Sequence, residues 1–226
     1  MDSRELFYES ISAEFDGLMN RYELQKRLRL IFEKLLRREE LEGKRVLDAG
    51  CGTGHFSRAA WERGGHVTAL DVGPGLLRRV AEKCDARRVV GSAAALPFAD
   101  RQFDVVICTE VIEHTSHPRG AVSELVRVLS PGGLLIVTVP CRSWKWSLLV
   151  ADRLKLRPYH GHENWVGYYE LKRWLSSEGL IVEQLFGFNL FPFLFPWTHG
   201  LLDRLDRLGR LLGPLMVNIA ARGRKA

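Results

Sequence analysis

Between residues 44 and 140 the chain alternates short, continuously apolar runs with amphipathic stretches. The apolar runs are "KRVLDAG", "HVTALD" (66–71), a run over 87–91, "FDVVIC" (103–108) and "GLLIVTV" (133–139). Helical spacing fills the gaps at 55–63, 75–83 and 118–129. Strands rich in Val, Ile and Leu, with no polar alternation, predict a parallel sheet covered on both faces. Ahead of this block, 4–38 reads as two helices, with Leu6, Phe7, Ile11, Phe15 and Leu18 at helical spacing in the first. After it come an irregular stretch over 141–168, a helix at 169–178, a strand at 180–186 and a final strand "LMVNIAA" with a basic tail, "RGRKA". The fold class is α/β. At 226 residues it makes one domain, with a helical cap (1–40), a binding core (44–140) and a substrate-side remainder (141–226).

Within the first strand–helix unit, "VLDAGCGTGHFS" places Gly50, Gly52 and Gly54 directly after an aspartate, Asp48. In an open α/β sheet, ligands sit outside the carboxyl ends of the strands. Glycines there let a ligand press against the backbone. Asp71, closing "HVTALD", stands where an acidic residue can accept a ribose diol. Two ligands fit this arrangement, a nicotinamide dinucleotide and S-adenosylmethionine. The anionic Asp48 is a poor neighbour for pyrophosphate, and the loop reads G-x-G-x-G, not G-x-G-x-x-G. Both points favour the cationic ligand.

The stretch "VLDAGCGTGHFS" resembles motif I of the class I S-adenosylmethionine-dependent methyltransferases. "VTALDVGPGLL", "GSAAALPFADRQFDVVICTEVIEH" and "LVRVLSPGGLLIVTVP" resemble the motifs that follow it. "EVIEH" and "HENWVGYYELKRWLSSEGLIVEQLFG" are most similar to the ubiquinone-biosynthesis O-methyltransferases. The resemblance implies a Rossmann-like, seven-stranded, mostly parallel sheet with the last strand antiparallel. It implies methyl transfer from S-adenosylmethionine, leaving S-adenosylhomocysteine. Gly50 and Gly52 would then approach the methionine part, with Cys51 and Gly54 completing the loop and Asp48 organising the amino-acid end. Asp71 would accept the ribose hydroxyls, Val72 would pack near the adenine, and Thr109 would join the cofactor-binding set. Ser92 and Ala93 stand where such enzymes often carry Asp-Ala, so the adenine contact loses its charge.

Glu110, Glu113 and His114 are spaced i, i+3 and i+4, so a helical turn would bring them to one face. Three readings stay open here. The triplet could hold a divalent metal, which the resemblance implies to be Mg²⁺. His114 could act as a general base. The carboxylates could simply bind backbone. His117, before Pro118, reads as a helix-start residue.

The acceptor would lie over the sulfonium. Tyr8, Phe15 and Tyr22 are lining candidates or core, and His160 and His162 are lid contacts or structural residues. "FNLFPFLFPW" and "LLDRLDRLGRLLGPL" set Leu201, Leu205, Leu208, Leu212 and Leu215 on one helical face, with Arg204, Arg207 and Arg210 off it. The segment 188–213 therefore reads either as a membrane-surface contact or as a helix packed on its own sheet. With the first reading, the acceptor is lipid-linked. A net charge of +6 suits an anionic partner. No clustering of basic with aromatic residues points to nucleic acid. Four scattered cysteines, no apolar leader and no span-length run give a cytoplasmic location, with peripheral contact at the inner membrane face as the extension. O-methylation of a small or lipid-linked hydroxyl is the leading expectation. C- or N-methylation, an RNA or protein acceptor, and a non-catalytic cofactor-binding protein are the alternatives. Oligomeric state is not legible.

Overall fold

The computed structural model describes residues 15–146, 153, 164–191 and 196–226. Tyr8, His160, His162 and the Phe15 side chain therefore lie outside the described residues, as does most of 147–163. The strands are β1 (Arg45–Ala49), β2 (His66–Asp71), β3 (Arg87–Val90), β4 (Phe103–Thr109), β5 (Leu129–Pro140), β6 (Leu180–Phe188) and β7 (Asn218–Lys225). They form one seven-stranded sheet in the order β3-β2-β1-β4-β5-β7-β6. β1 to β5 pair in parallel, and β7 runs antiparallel between β5 and β6. The expected sheet is present, including its antiparallel last strand.

The continuous apolar runs follow from two buried faces. In β1, Val46 joins the core beneath α1 (Arg21–Arg29), α2 (His55–Trp61) and α3 (Pro74–Ala81), whereas Leu47 joins the opposite core. β4 repeats this alternation, with Val105 and Ile107 on the first face and Val106 and Cys108 on the second. That second core is roofed by α4 (Pro118–Arg127) and α5 (Tyr168–Ser177), which supply Ala121, Val122, Leu125, Leu171 and Leu175. Proline at the first turn of α3 and of α4 sets those helix starts, where the missing N–H costs nothing.

The C-terminal end departs from expectation twice. The last strand begins at Asn218 and absorbs the basic tail through Lys225. Arg222 is buried, and its guanidinium reaches Glu40 (2.7 Å), Glu183 (2.6 Å) and the Leu35 carbonyl. The charge is tolerated because each arm of the fork finds an acceptor.

The amphipathic stretch is also no single helix. It runs as α6 (His199–Leu205), a 3-10 turn, α7 (Gly209–Leu212) and a second 3-10 turn. A side chain on Gly209 would run into the Gly187 carbonyl, and one on Gly213 into the Tyr168 ring. This glycine ridge lies against the sheet, so Leu201, Leu208, Leu211 and Leu215 turn outward and only Leu202 is fully buried.

Replacing Arg222 by Met strands two partly exposed carboxylates. The variant should lose about 2 kcal/mol in urea unfolding, less than the roughly 3–5 kcal/mol of a fully buried broken pair.

Candidate active site

The loop after β1 is tied to the neighbouring strand, since the Gly50 and Cys51 amides both donate to the Leu70 carbonyl (2.7 and 2.9 Å). Gly50 (φ +75°) and Gly54 (φ +87°) hold left-handed conformations that favour glycine. Each is also crowded, because a Cβ on Gly50 would strike Val111 and one on Gly54 would strike Val80. Gly54 therefore closes α2 against α3. Gly52 gives its amide to the Asp71 carboxylate (2.8 Å), and the Gly73 amide donates to the other Asp71 oxygen (3.0 Å). Two backbone donors thus fix a carboxylate at the carboxyl end of β2. Each oxygen keeps acceptor capacity for a further donor, which suits a vicinal diol.

Asp48 is buried at the end of β1 and accepts a hydrogen bond from the Ser57 hydroxyl (2.6 Å). Burial, reinforced by the nearby Asp71 charge, pushes its carboxyl up to about 7, against which Ser57 works. A cationic ligand beside the pair would relieve this. The contact to Ser57 ties the end of β1 to the first turn of α2. Burial lifts the Cys51 thiol well above its usual range, leaving it a small apolar filler. Where the adenine was expected, the Gly91 amide bonds the Asp71 carbonyl (3.0 Å), setting Ser92 and Ala93 beside β2. The Ser92 hydroxyl accepts from the Ala94 amide (3.2 Å), and Val72 is half-buried next to Asp71.

The Glu-x-x-Glu-His stretch does not form the expected helical turn. Glu110 follows Thr109 with left-handed backbone (φ +53°), and only Ile112–His114 makes a 3-10 turn. The Glu110 carboxylate accepts from the Asn218 amide (3.2 Å) and faces the Arg27 guanidinium at 3.9 Å. Burial raises it to about 7, with Arg27 opposing. Glu113 is buried with an oxygen 3.8 Å from His114 Nε2. Among the described residues, no group of three His, Cys, Asp or Glu side chains is placed to hold a metal ion. The helical turn expected to gather this triplet is therefore corrected. Its spacing presupposed a helix, and the left-handed Glu110 turns that carboxylate to Asn218 and Arg27 instead. His117 starts α4 as expected, its carbonyl accepting from the Ala121 amide (3.0 Å).

Two clusters had no signal in the sequence. Asp16 accepts from the Thr53 hydroxyl and from Lys83 (2.7 Å), and lies 3.1 Å from His55 Nε2. Burial pulls the other way, yet these donors hold Asp16 at about 2. Lys26, only 5% exposed, lies between Asp203 (3.1 Å) and Asp206 (2.8 Å) and donates to Asn189 (2.7 Å). Tyr22, expected as pocket lining or core, stacks on His199 with ring centres 3.6 Å apart and donates to Asp203 (2.9 Å). These partners are distant in sequence, so periodicity shows Lys26 only as an ordinary helix lysine.

Apo stability should report the buried carboxylate. Because the folded value of Asp48 is raised from 3.8 to about 7, its contribution is full below pH ~4 and is lost as pH rises through ~7. Asp48→Asn should melt higher than wild type at pH 8 and flatten the melting profile between pH 4 and 7, while weakening cofactor binding in calorimetry.

A methyltransferase-domain family model matches residues 47–137. The chain is 31% identical over 185 residues to a ubiquinone biosynthesis O-methyltransferase of Xylella fastidiosa, covering 75% of this chain and 73% of that protein. A malonyl-acyl-carrier protein O-methyltransferase of Serratia marcescens is 40% identical over 95 residues, 42% of this chain and 37% of that protein. Among solved structures, a SAM-dependent methyltransferase from Thermotoga maritima superposes with a TM-score of 0.71 at 15% identity, covering 97% and 98% of the two chains. The donor cradle of β1 and β2, the sheet order and these likenesses agree: this chain belongs to the class I S-adenosylmethionine-dependent methyltransferases.

Proposed function

We propose that the chain methylates a hydroxyl oxygen of a small, lipid-linked acceptor at the surface of a bilayer. The observation that carries this reading is the apolar surface at the carboxyl edge of the sheet, the edge that holds the glycine loop. Trp197 is 82% and Leu211 78% exposed, and Leu201, Leu208, Leu215 and Trp146 are exposed as well. Trp146 stacks on Trp144 (5.3 Å), whose indole N–H donates to the Leu215 carbonyl (2.8 Å), which joins the β5 end to this segment. Exposed Arg204, Arg207 and Arg210 lie among these leucines, the composition of an interfacial segment. No described helix is long and apolar enough to cross a membrane. The names of the relatives favour oxygen as the methylated atom, and those of the two O-methyltransferases favour a carrier-borne or hydrophobic acceptor.

S-adenosylmethionine supplies an activated methyl group. The protein's part is alignment, proton removal and exclusion of water. Asp71 receives the ribose hydroxyls, Gly50, Cys51 and Gly52 offer a narrow backbone approach, and Asp48 favours the positive charge. Val72, Ser92 and Ala93 border the adenine, Gly54 holds the loop, and Thr109 ends the strand facing it. His114 accepts the acceptor's hydroxyl proton as the O–C bond forms and the C–S bond breaks, with the buried Glu113 orienting the ring. Glu110, held by Asn218 and Arg27, shapes the rim. This division needs no metal, so EDTA should leave turnover unchanged.

Asp71→Ala removes charge-assisted hydrogen bonds of roughly 1.5–3 kcal/mol. Calorimetry should therefore show S-adenosylmethionine affinity falling about 10- to 100-fold. Unchanged affinity would remove the cofactor assignment. His114→Gln should lower kcat by roughly 10²–10⁴ with cofactor affinity intact. Incubation with methyl-labelled cofactor and a bacterial lipid extract, read by mass spectrometry, should yield a methyl ether in the organic phase. Label confined to RNA, protein or water-soluble amines would overturn the acceptor class.

A further inference from the structure

Residues 15–29 touch both functional surfaces. At one end Asp16 grips Thr53, His55 and Lys83, and Lys83 also donates to the Thr53 carbonyl (2.9 Å), so the glycine loop itself is held. Further along, Tyr22 and Lys26 dock on the amphipathic segment through His199, Asp203 and Asp206. From Lys26 the bonds continue inward. Asn189 accepts from Lys26 and donates to Asn218 (3.4 Å), and Asn218 donates to Glu110 at the cleft rim (3.2 Å). The backbone at Asn189 is left-handed (φ +58°), and its amide and carbonyl bond Asp206 (2.9 Å) and Val217 (2.7 Å). Its side chain is therefore presented to Lys26 and Asn218 by a fixed turn. One strap bridges the cofactor loop and the outward leucines.

We propose that this strap couples the two sites: cofactor in the cleft and an anionic lipid bilayer on the Trp197–Leu215 face each favour the binding of the other, with Lys26 as the joint. The inference rests on the methyltransferase and bilayer readings above and assigns a regulation to them. Charge selects the occupant. Asp203 and Asp206, the acidic residues of the segment, are engaged by Lys26, which leaves Arg204, Arg207 and Arg210 as its outward charges. On this proposal both ligands favour the arrangement of residues 15–29 that these contacts hold, so whichever binds first meets the ordering cost. Linkage makes the effect reciprocal.

The test is calorimetry of S-adenosylmethionine binding to the full chain, without vesicles and with phosphatidylcholine vesicles containing or lacking phosphatidylglycerol. Sedimentation of the same vesicles is measured with and without cofactor. In wild type, anionic vesicles should tighten cofactor binding about fivefold or more, cofactor should tighten vesicle binding by the same factor, and neutral vesicles should do neither. Lys26→Met alone would leave the largely covered Asp206 without its cation. The informative variant is therefore Lys26→Met/Asp203→Asn/Asp206→Asn, checked for wild-type circular dichroism and melting. It should bind both ligands with the factor reduced to one. A wild-type factor of one, or a full factor in the triple variant, would overturn the coupling. Absence of cofactor heat in wild type would instead strike the methyltransferase reading. Cofactor binding without vesicle sedimentation would strike the bilayer reading and the coupling with it. A dimer by light scattering that Leu211→Asp abolishes would replace the bilayer with a second copy of this chain.

Discussion

Two carboxylates buried side by side at the ends of adjacent strands govern this site. Asp48 and Asp71 are both largely removed from water, and burial together with the Asp71 charge raises the cost of charging Asp48. Backbone amides from Gly52 and Gly73 hold the Asp71 carboxylate in place, while Asp48 accepts from Ser57 and burial raises its carboxyl to about 7. A pocket of this kind is tuned for a ligand that brings positive charge and a diol. The crowding around Gly50 and Gly54 follows from the same requirement. The loop must pass closely between Val111 and Val80 so that its amides can reach Leu70 and Asp71.

The cover over that edge is assembled from charges, not from apolar packing alone. Lys26 in a nearly dry position would be costly without partners. Asp203, Asp206, Asn189 and Tyr22 supply them and thereby set how α1 meets α6. Arg222 does the same at the other end of the sheet, joining the end of the α1 region to β6 and β7 through Leu35, Glu40 and Glu183. These ion clusters specify which surfaces meet, while the glycines at 187, 209 and 213 decide how close the amphipathic segment lies.

Much of the central block was legible from residue pattern. The β2 boundaries were read without error, and the Gly50/Gly52/Asp71 set meets in one place as expected. The helical turn expected over Glu110–His114 failed at a single dihedral. Helical spacing assumes helical backbone, and a glutamate with positive φ is seldom anticipated from sequence. The leucine stripe stayed open between two readings for a related reason, since periodicity identifies a stripe but not which side of it a glycine ridge will press inward. The basic tail read as lying beyond the final strand because nothing local to Arg222 names Glu40 or Glu183, far away along the chain.

The order of apolar runs, their continuity and the loop glycines were enough by themselves to dictate a two-faced parallel sheet with a donor cradle at the end of its first strand. Those properties depend on neighbours within a few residues and on a period that any reader can count. Tertiary structure alone decided where Glu110 points, which leucines face outward and what neutralises Lys26 and Arg222. Each of these depends on groups brought together from opposite ends of the chain, and a buried charge is settled only by the partners that folding delivers to it.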